Sequence, residues 1–234
     1  MSDLSFPPLL RGETAPDPFR HAVAAAQQGA DPGLIAHNES DEKLAAALIL
    51  APECALEDAM AMVFACGLGF SDALGALAPP ELAAHLAWPD GLWVNGARCG
   101  GFRAAASTID PEAEPAWLVI GVEVPLAPIE GEPGRAPNRT SLHEEGCGDI
   151  PAPRLIESWS RHMLVWINYW LDDGMARLHA EWRARAWRLG KQVSFSLKGT
   201  AQTGDFIGID ERGGMLLRDG AATRLIPLTA MLED

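Results

Sequence analysis

The sequence predicts an α+β protein: a mixed β-sheet with packed helices, followed by a small β-barrel. Three observations predict it. Through residues 1–188, apolar runs of strand length alternate with stretches of helical periodicity. After Gly190 only short β-type runs remain, separated by turn residues. The chain has 234 residues, 48% of them hydrophobic, which suits one large core with a small appendage. We therefore divide it into residues 1–188 and 189–234.

The elements follow in order. Asp17 to Gln28 reads as a helix, with Asp17 as its cap, Pro18 in the first turn and Gly29 at its end. Lys43 to Leu50 is short, apolar and bounded by charge and Pro52, as a strand would be. Leu56 to Leu77 has helical periodicity, with Leu56, Met60, Val63, Phe64, Leu68 and Leu74 on one face. Gly67 and Gly69 either weaken this helix or let a neighbour pack closely on it, and Pro79-Pro80 stops it. Leu92-Trp93-Val94, Asn95-Gly96 and Ala97 to Ala106 form a hairpin, because Asn-Gly tolerates the positive φ of a two-residue turn. Trp117 to Val124 is a buried strand, and Ile129 to Asn138, rich in Gly, Pro and charge, is a loop. Arg154 to Leu171 is a long helix with Trp159, Met163, Trp166 and Trp170 along one face, a core or subunit-contact stripe. Gly174 interrupts it before a further helix to about Trp187. Val193–Leu197, Gln202–Ile209, Met215–Arg218 and Thr223–Ile226 are the strands of the barrel.

Charge narrows the function. The formal net charge is -14, with no block of Lys and Arg to offset it, so phosphate backbones are repelled and no nucleic-acid partner is expected. No apolar run reaches the ~20 residues of a membrane-spanning helix, and the N-terminus lacks a basic region followed by an apolar stretch. The expectation is a cytoplasmic protein without a membrane partner. Cys54, Cys66, Cys99 and Cys147 form no CxxC pair, so they read as small buried hydrophobes. His143, Glu144, Glu145, Cys147 and Asp149 match no standard metal spacing, and no metal site is assigned.

One segment carries more information. His85-Leu86-Ala87-Trp88-Pro89-Asp90-Gly91-Leu92-Trp93-Val94-Asn95-Gly96-Ala97-Arg98-Cys99-Gly100-Gly101-Phe102 resembles the central motif of biotin protein ligases. In that family a Lys-Trp-Pro-Asn-Asp-Leu stretch precedes a tight turn, a lysine and a Gly-rich strand. Leu118 to Val124 resembles the family's Ile-Gly-rich strand. Thr140-Ser141-Leu142, followed by acidic residues and a helix, resembles its Thr-Ser-Leu element. Lys191 to Leu228 resembles its C-terminal SH3-like domain. The resemblance spans roughly residues 32–232. It implies the fold shared by biotin and lipoate ligases: a catalytic domain over 1–188 and an SH3-like barrel over 189–234. It also implies a two-step reaction, in which ATP and magnesium activate biotin or another small acyl acid and a carrier-domain lysine takes the acyl group. Pairing of two copies through the sheet is a further implication.

The chain departs from the pattern where that chemistry would sit. The family's Gly-Arg-Gly-Arg-type loop falls at His37-Asn38-Glu39-Ser40-Asp41-Glu42, which has neither glycine nor arginine and is acidic. Arg98 stands at the family's lysine, and Arg is a planar fork rather than a compact point donor. Asp90-Gly91 replaces Asn-Asp, Ala87 replaces a lysine, and Glu123 and Pro125 replace glycine and asparagine.

Each candidate has two readings. Trp88 and Pro89 either line a ligand pocket or form a core turn. Gly100, Gly101 and Gly121 either let a ligand approach the backbone or relieve strand crowding. Asp90 and Asn95 belong to the same ligand-facing motif. Arg98, the one candidate catalytic residue, either grips a carboxylate through two hydrogen bonds or makes a surface ion pair. Cys99 is adjacent, but alternation points it to the opposite face. Arg11, Arg20 or Arg103 could also stand in for the missing loop, and nothing in the sequence shows where they point. Two functions stay open: a divergent acyl ligase, or a ligand- or carrier-domain-binding protein of the same fold that has lost its chemistry.

Overall fold

The computed structural model describes residues 4–38, 40–129 and 138–233. A seven-stranded mixed sheet forms its centre. The strands are β1 (Arg11–Thr14), β2 (Leu34–His37), β3 (Lys43–Leu50), β4 (Ala84–Ala87), β5 (Gly91–Val94), β6 (Ala97–Ala106) and β7 (Leu118–Pro125). Their order across the sheet is β1-β2-β3-β7-β6-β5-β4. Only β1 and β2 run parallel; the other pairs are antiparallel.

Helix α1 (Pro18–Gln27) begins where Asp17 Oδ1 accepts a hydrogen bond from the Arg20 amide. It lays Phe19, Ala22 and Ala26 on Ala36, Ala47, Ala105 and Val119 of one sheet face. The opposite face is covered by α3 (Ala61–Leu77) and α4 (Ala152–Asp173). The stretch read as one helix from Leu56 is broken at Met60 into a short α2 (Leu56–Ala59) and α3. Gly69 is there for contact: a Cβ at this position would lie 2.7 Å from the Met163 backbone of α4. The tryptophan stripe of α4 is core, with Trp159 donating to Cys66 O and Trp166 to Asp72 Oδ2.

Leu56–Leu77 is the most apolar stretch of helix among the described residues. With a mean hydropathy of 1.6 over its best window, it is apolar enough to cross a membrane, although no uninterrupted run shows this. Its apolar surface is taken up inside the protein, because sheet and α4 wrap it on nearly every side. Burying each Leu or Phe in this way contributes about 1.5–3 kcal/mol.

Helix α5 (Met175–Ala184) ends three residues earlier than expected. Ala186 then bridges to Leu86, and Trp187 donates its amide to Leu86 O, so the chain extends the sheet beyond β4. Trp187 stacks on Trp93 at 4.7 Å. The C-terminal strands are β8 (Gln192–Leu197), β9 (Thr200–Ile209), β10 (Met215–Asp219) and β11 (Ala222–Ile226). They form an antiparallel sheet in the order β11-β10-β9-β8, with no pairing between β8 and β11 among the described residues. The barrel is thus an open four-stranded meander. Its Phe206, Ile209, Met215 and Leu217 join the core cluster of α3 and α4. Of the loop expected over Ile129–Asn138, residues 130–137 lie outside the described part.

Candidate functional site

The hairpin β5–β6 builds the site. Asn95 (φ 48°) and Gly96 (φ 92°) make the expected turn. Asn95 is fully used in holding it: its Oδ1 accepts from Ala83 N and its Nδ2 donates to Glu145. It is therefore a turn residue here. Past the turn, Arg98 emerges on the exposed side while Cys99 is buried. Burial, with Glu145 nearby, pushes the Cys99 thiol up to about 12, so it holds its proton at neutral pH and cannot act as a nucleophile.

Arg98 lines a cleft of about 460 Å³ together with Lys43, Asp90, Arg103, Glu123, Arg139 and Thr140, over a floor that includes Gly100 and Gly101. Sequence reasoning thus placed Asp90, Arg98, Gly100 and Gly101 at one site. Arg98 Nη2 donates to Asp90 Oδ2 at 2.8 Å and its Nε to Gly100 O at 3.3 Å. Lys43 Nζ meets Glu123 Oε1 at 2.8 Å. Thr140, from the expected Thr-Ser-Leu element, reaches the rim because the chain at Asn138–Thr140 adds to β6: Arg98 N donates to Asn138 O, and Thr140 N to Arg98 O.

The remaining candidates do other work. Trp88 is buried, donates its indole N–H to Gly213 O at 2.9 Å and meets Phe195 edge-on, so it pins the C-terminal sheet to the first. This is its core-turn reading. Pro89 lies on a neighbouring cleft between the two sheets. A Cβ on Gly100 would lie 2.1 Å from Glu123 O, and one on Gly101 2.2 Å from Asp90 O. Both glycines admit the chain's own backbone. At Gly121 the close neighbour is the Phe19 ring, 2.6 Å from such a Cβ.

One residue was left unplaced by the sequence. Arg103 follows Gly101 on the same face of β6, and its guanidinium stacks 4.1 Å over the Phe19 ring. It makes a two-bonded pair with Glu233, Nε to Oε1 at 2.7 Å and Nη2 to Oε2 at 2.6 Å, which raises its affinity for the proton further. The usable signal was the two-residue alternation from Gly101; nothing in the sequence showed the partner.

The counterpart of the phosphate-gripping loop is a tight turn. Asn38 Nδ2 donates to Lys43 O, Asn38 Oδ1 accepts from Ala45 N, and Glu42 O accepts from Leu126 N and Ala127 N. Among the described residues around the cleft, four cations face two carboxylates, and Glu233 takes up a third cation. One surplus positive charge suits a monoanion such as a carboxylate. Among the described residues no group of three metal-ligating side chains converges. Glu144 and Glu145 are engaged instead with Ser141, Thr140 and Asn95.

Comparison with known proteins agrees with this architecture. The biotin/lipoate A/B protein ligase family matches residues 6–184, and a domain of unknown function (DUF4444) matches residues 198–234. A biotin–[acetyl-CoA-carboxylase] ligase of Paracoccus denitrificans is 30% identical over 186 residues, covering 78% of this chain and 77% of the relative. The crystal structure of a biotin protein ligase-like protein of unknown function from Silicibacter sp. TM1040 is 50% identical, with a TM-score of 0.91, covering 99% of this chain and 100% of that one. The biotin protein ligase of Aquifex aeolicus in complex with biotin and ATP is 16% identical, with a TM-score of 0.68 over 97% of this chain and 96% of that one, and shows the shared fold. With sheet, helices, C-terminal meander and motif order all in place, the chain belongs to the biotin/lipoate A/B protein ligase family.

Proposed function

We propose that the protein binds a small acyl acid, biotin or another carboxylic acid of similar size, in the Arg98 cleft. In this reading it works in the cytoplasm with a biotinyl- or lipoyl-type carrier domain as its partner and does not activate the acid through a nucleotide. The observation that carries it is the charge balance of the cleft. Among the described residues, four cations converge there in a chain of net charge -14, and the carboxylates that face them leave room for one further negative charge. Arg98 can turn its planar fork from Asp90 to an incoming carboxylate, since both side chains are partly exposed.

Calorimetric titration with biotin, lipoate and octanoate, with and without ATP and magnesium, tests this. One of the acids should bind, ATP should add no heat, and Arg98→Ala should weaken binding about ten- to a hundred-fold, as expected for a lost charged hydrogen bond. Silence toward all three acids would remove the reading.

A second reading, an ATP-dependent ligase that transfers the acyl group to a carrier lysine, is favoured by the Paracoccus denitrificans relative, which is named as such a ligase. It also draws on Arg98, which keeps a cation at the lysine position of the motif. Acid-dependent release of pyrophosphate from ATP would establish it in place of the first.

A further inference from the structure

Among the described residues, Arg103 borders four neighbouring clefts. It lines the Arg98 cleft, the cleft between the two sheets, the hollow beside Lys43 and Gly121, and a trough of about 460 Å³ along α1. That trough has an apolar flank of Phe19, Val23, Ala24, Ala105 and Trp117. Its head is Arg103, held flat on Phe19 at 4.1 Å.

What fills the head is Glu233. After the short turn at Leu228–Met231, Leu232 is buried and Glu233 N donates to Ala104 O at 2.8 Å, which lays the tail along β6. The Glu233 carboxylate then meets Arg103 in a parallel two-bond arrangement, the geometry by which arginine recognises carboxylates in general. The pair is partly exposed on both sides, 35% and 40%, so it can exchange partners without desolvating a buried charge.

We infer that Arg103 is a second carboxylate receptor of this site and that Glu233 is an internal occupant, which a small carboxylic acid with an apolar tail must displace to bind. The inference rests on the reading that this face takes an acyl acid, and it adds a residue and a regulation to it. In this second mode of binding the acid's carboxylate sits on Arg103 in place of the Glu233 carboxylate, beside the Arg98 cleft that Arg103 also lines, and its apolar tail lies along the trough toward Trp117. The released tail leaves the cleft between the sheets open beside Pro89 and Asp90. Because the competitor is tethered, the apparent affinity of the parent protein is lowered by the fraction of time the tail is bound.

The test uses the full chain and its Glu233→Gln and Arg103→Gln variants. Octanoate, biotin and lipoate are titrated as sodium salts, and folding is checked by thermal melts. Glu233→Gln keeps the backbone bond to Ala104 and removes the competing charge, so it should bind the preferred acid about ten-fold tighter or better. Arg103→Gln should lose binding. In the parent protein, the same acid should speed removal of the C-terminal residues by a carboxypeptidase, a readout that a merely structural ion pair would not give. Equal affinity of parent and Glu233→Gln, or a digestion rate that the acid leaves unchanged, overturns the inference. If Arg98→Ala still abolishes binding in that case, the proposed function stands without it. Absence of binding in both parent and Glu233→Gln overturns both.

Discussion

At the scale of single residues, the glycines and Trp88 separate ligand roles from structural ones. Gly100 has φ of 105° and sits against Glu123 O, and Gly101 sits against Asp90 O. Alanine at either position drives a Cβ into backbone that cannot move aside. We expect each to cost about 3 kcal/mol or more in urea unfolding. Gly121→Ala meets only the Phe19 ring and should cost less, about 1–2 kcal/mol. If all three instead unfold alike while Gly121→Ala alone abolishes acid binding, Gly121 faces a ligand after all. Trp88→Ala removes the pin between the sheets and should destabilise by about 3–5 kcal/mol. Trp88→Phe keeps the ring but leaves Gly213 O unpaired, for about 1–2 kcal/mol. The thiols give a pH signature. Burial raises Cys66 and Cys99 above their ordinary value, Cys99 to about 12. In the unfolded chain a thiol releases its proton near pH ~8.5, while these two keep theirs when folded. Above that pH the unfolded state binds fewer protons. Their stabilisation, complete below it, is therefore lost as pH rises through the folded value. The slope approaches ~1.4 kcal/mol per pH unit for each thiol. Denaturation midpoints at pH 8 and pH 10 should show it, and the Cys66→Ala/Cys99→Ala double variant should flatten it.

At the scale of elements, the turn between β2 and β3 stands where the sequence departs from the family's phosphate-gripping loop. Asn38 closes it by bonding to both Lys43 O and Ala45 N, and Glu42 O ties it to Leu126 and Ala127. Asp41 and Glu42 on this turn add repulsion toward an anion. Asn38→Ala leaves Ala45 N without its partner in a buried place and should cost about 1–3 kcal/mol. It should not create nucleotide binding, which a fluorescent ATP analogue would report. The hairpin β5–β6 shows the converse. Its Asn-Gly turn fixes where Arg98 emerges, but strict alternation from Arg98 would send Arg103 to the other face; the break at Gly100, with φ of 105°, and the register shift between β5 and β6 bring Arg103 to the same cleft.

For the whole molecule, the two sheets share one core, since Phe206, Ile209, Met215 and Leu217 pack in the cluster that contains α3 and α4. Residues 189–234, which we set apart as a second domain, should therefore not melt separately. Calorimetry should give a single transition with the expected enthalpy ratio of one; two resolved transitions would show an independent C-terminal unit. The tail adds a second tie, from Glu233 to Arg103 and Ala104. Net charge acts at this scale too. At -14 the surface repels polyanions, and a cleft with a local surplus of one positive charge is the exception within it.

Most of the fold was readable from the sequence because local patterns dictated it. The apolar run Lys43–Leu50, the Asn-Gly hairpin, the capped helix after Asp17 and the turn-separated strands after Gly190 each obey a period or a turn rule. β1 and β2 did not announce themselves: one is short and exposed, the other too short to show a period, and both exist because the sheet supplies partners. The apolar helix at Leu56–Leu77 could be assigned to a core only once α4 was seen to cover it. At the site, the sequence by itself determined the Asn-Gly turn and that Arg98 and Cys99 point to opposite faces. Only the tertiary structure decided their partners. Trp88 meets Gly213 and Arg103 meets Glu233 across more than a hundred residues, and no local rule relates positions so far apart.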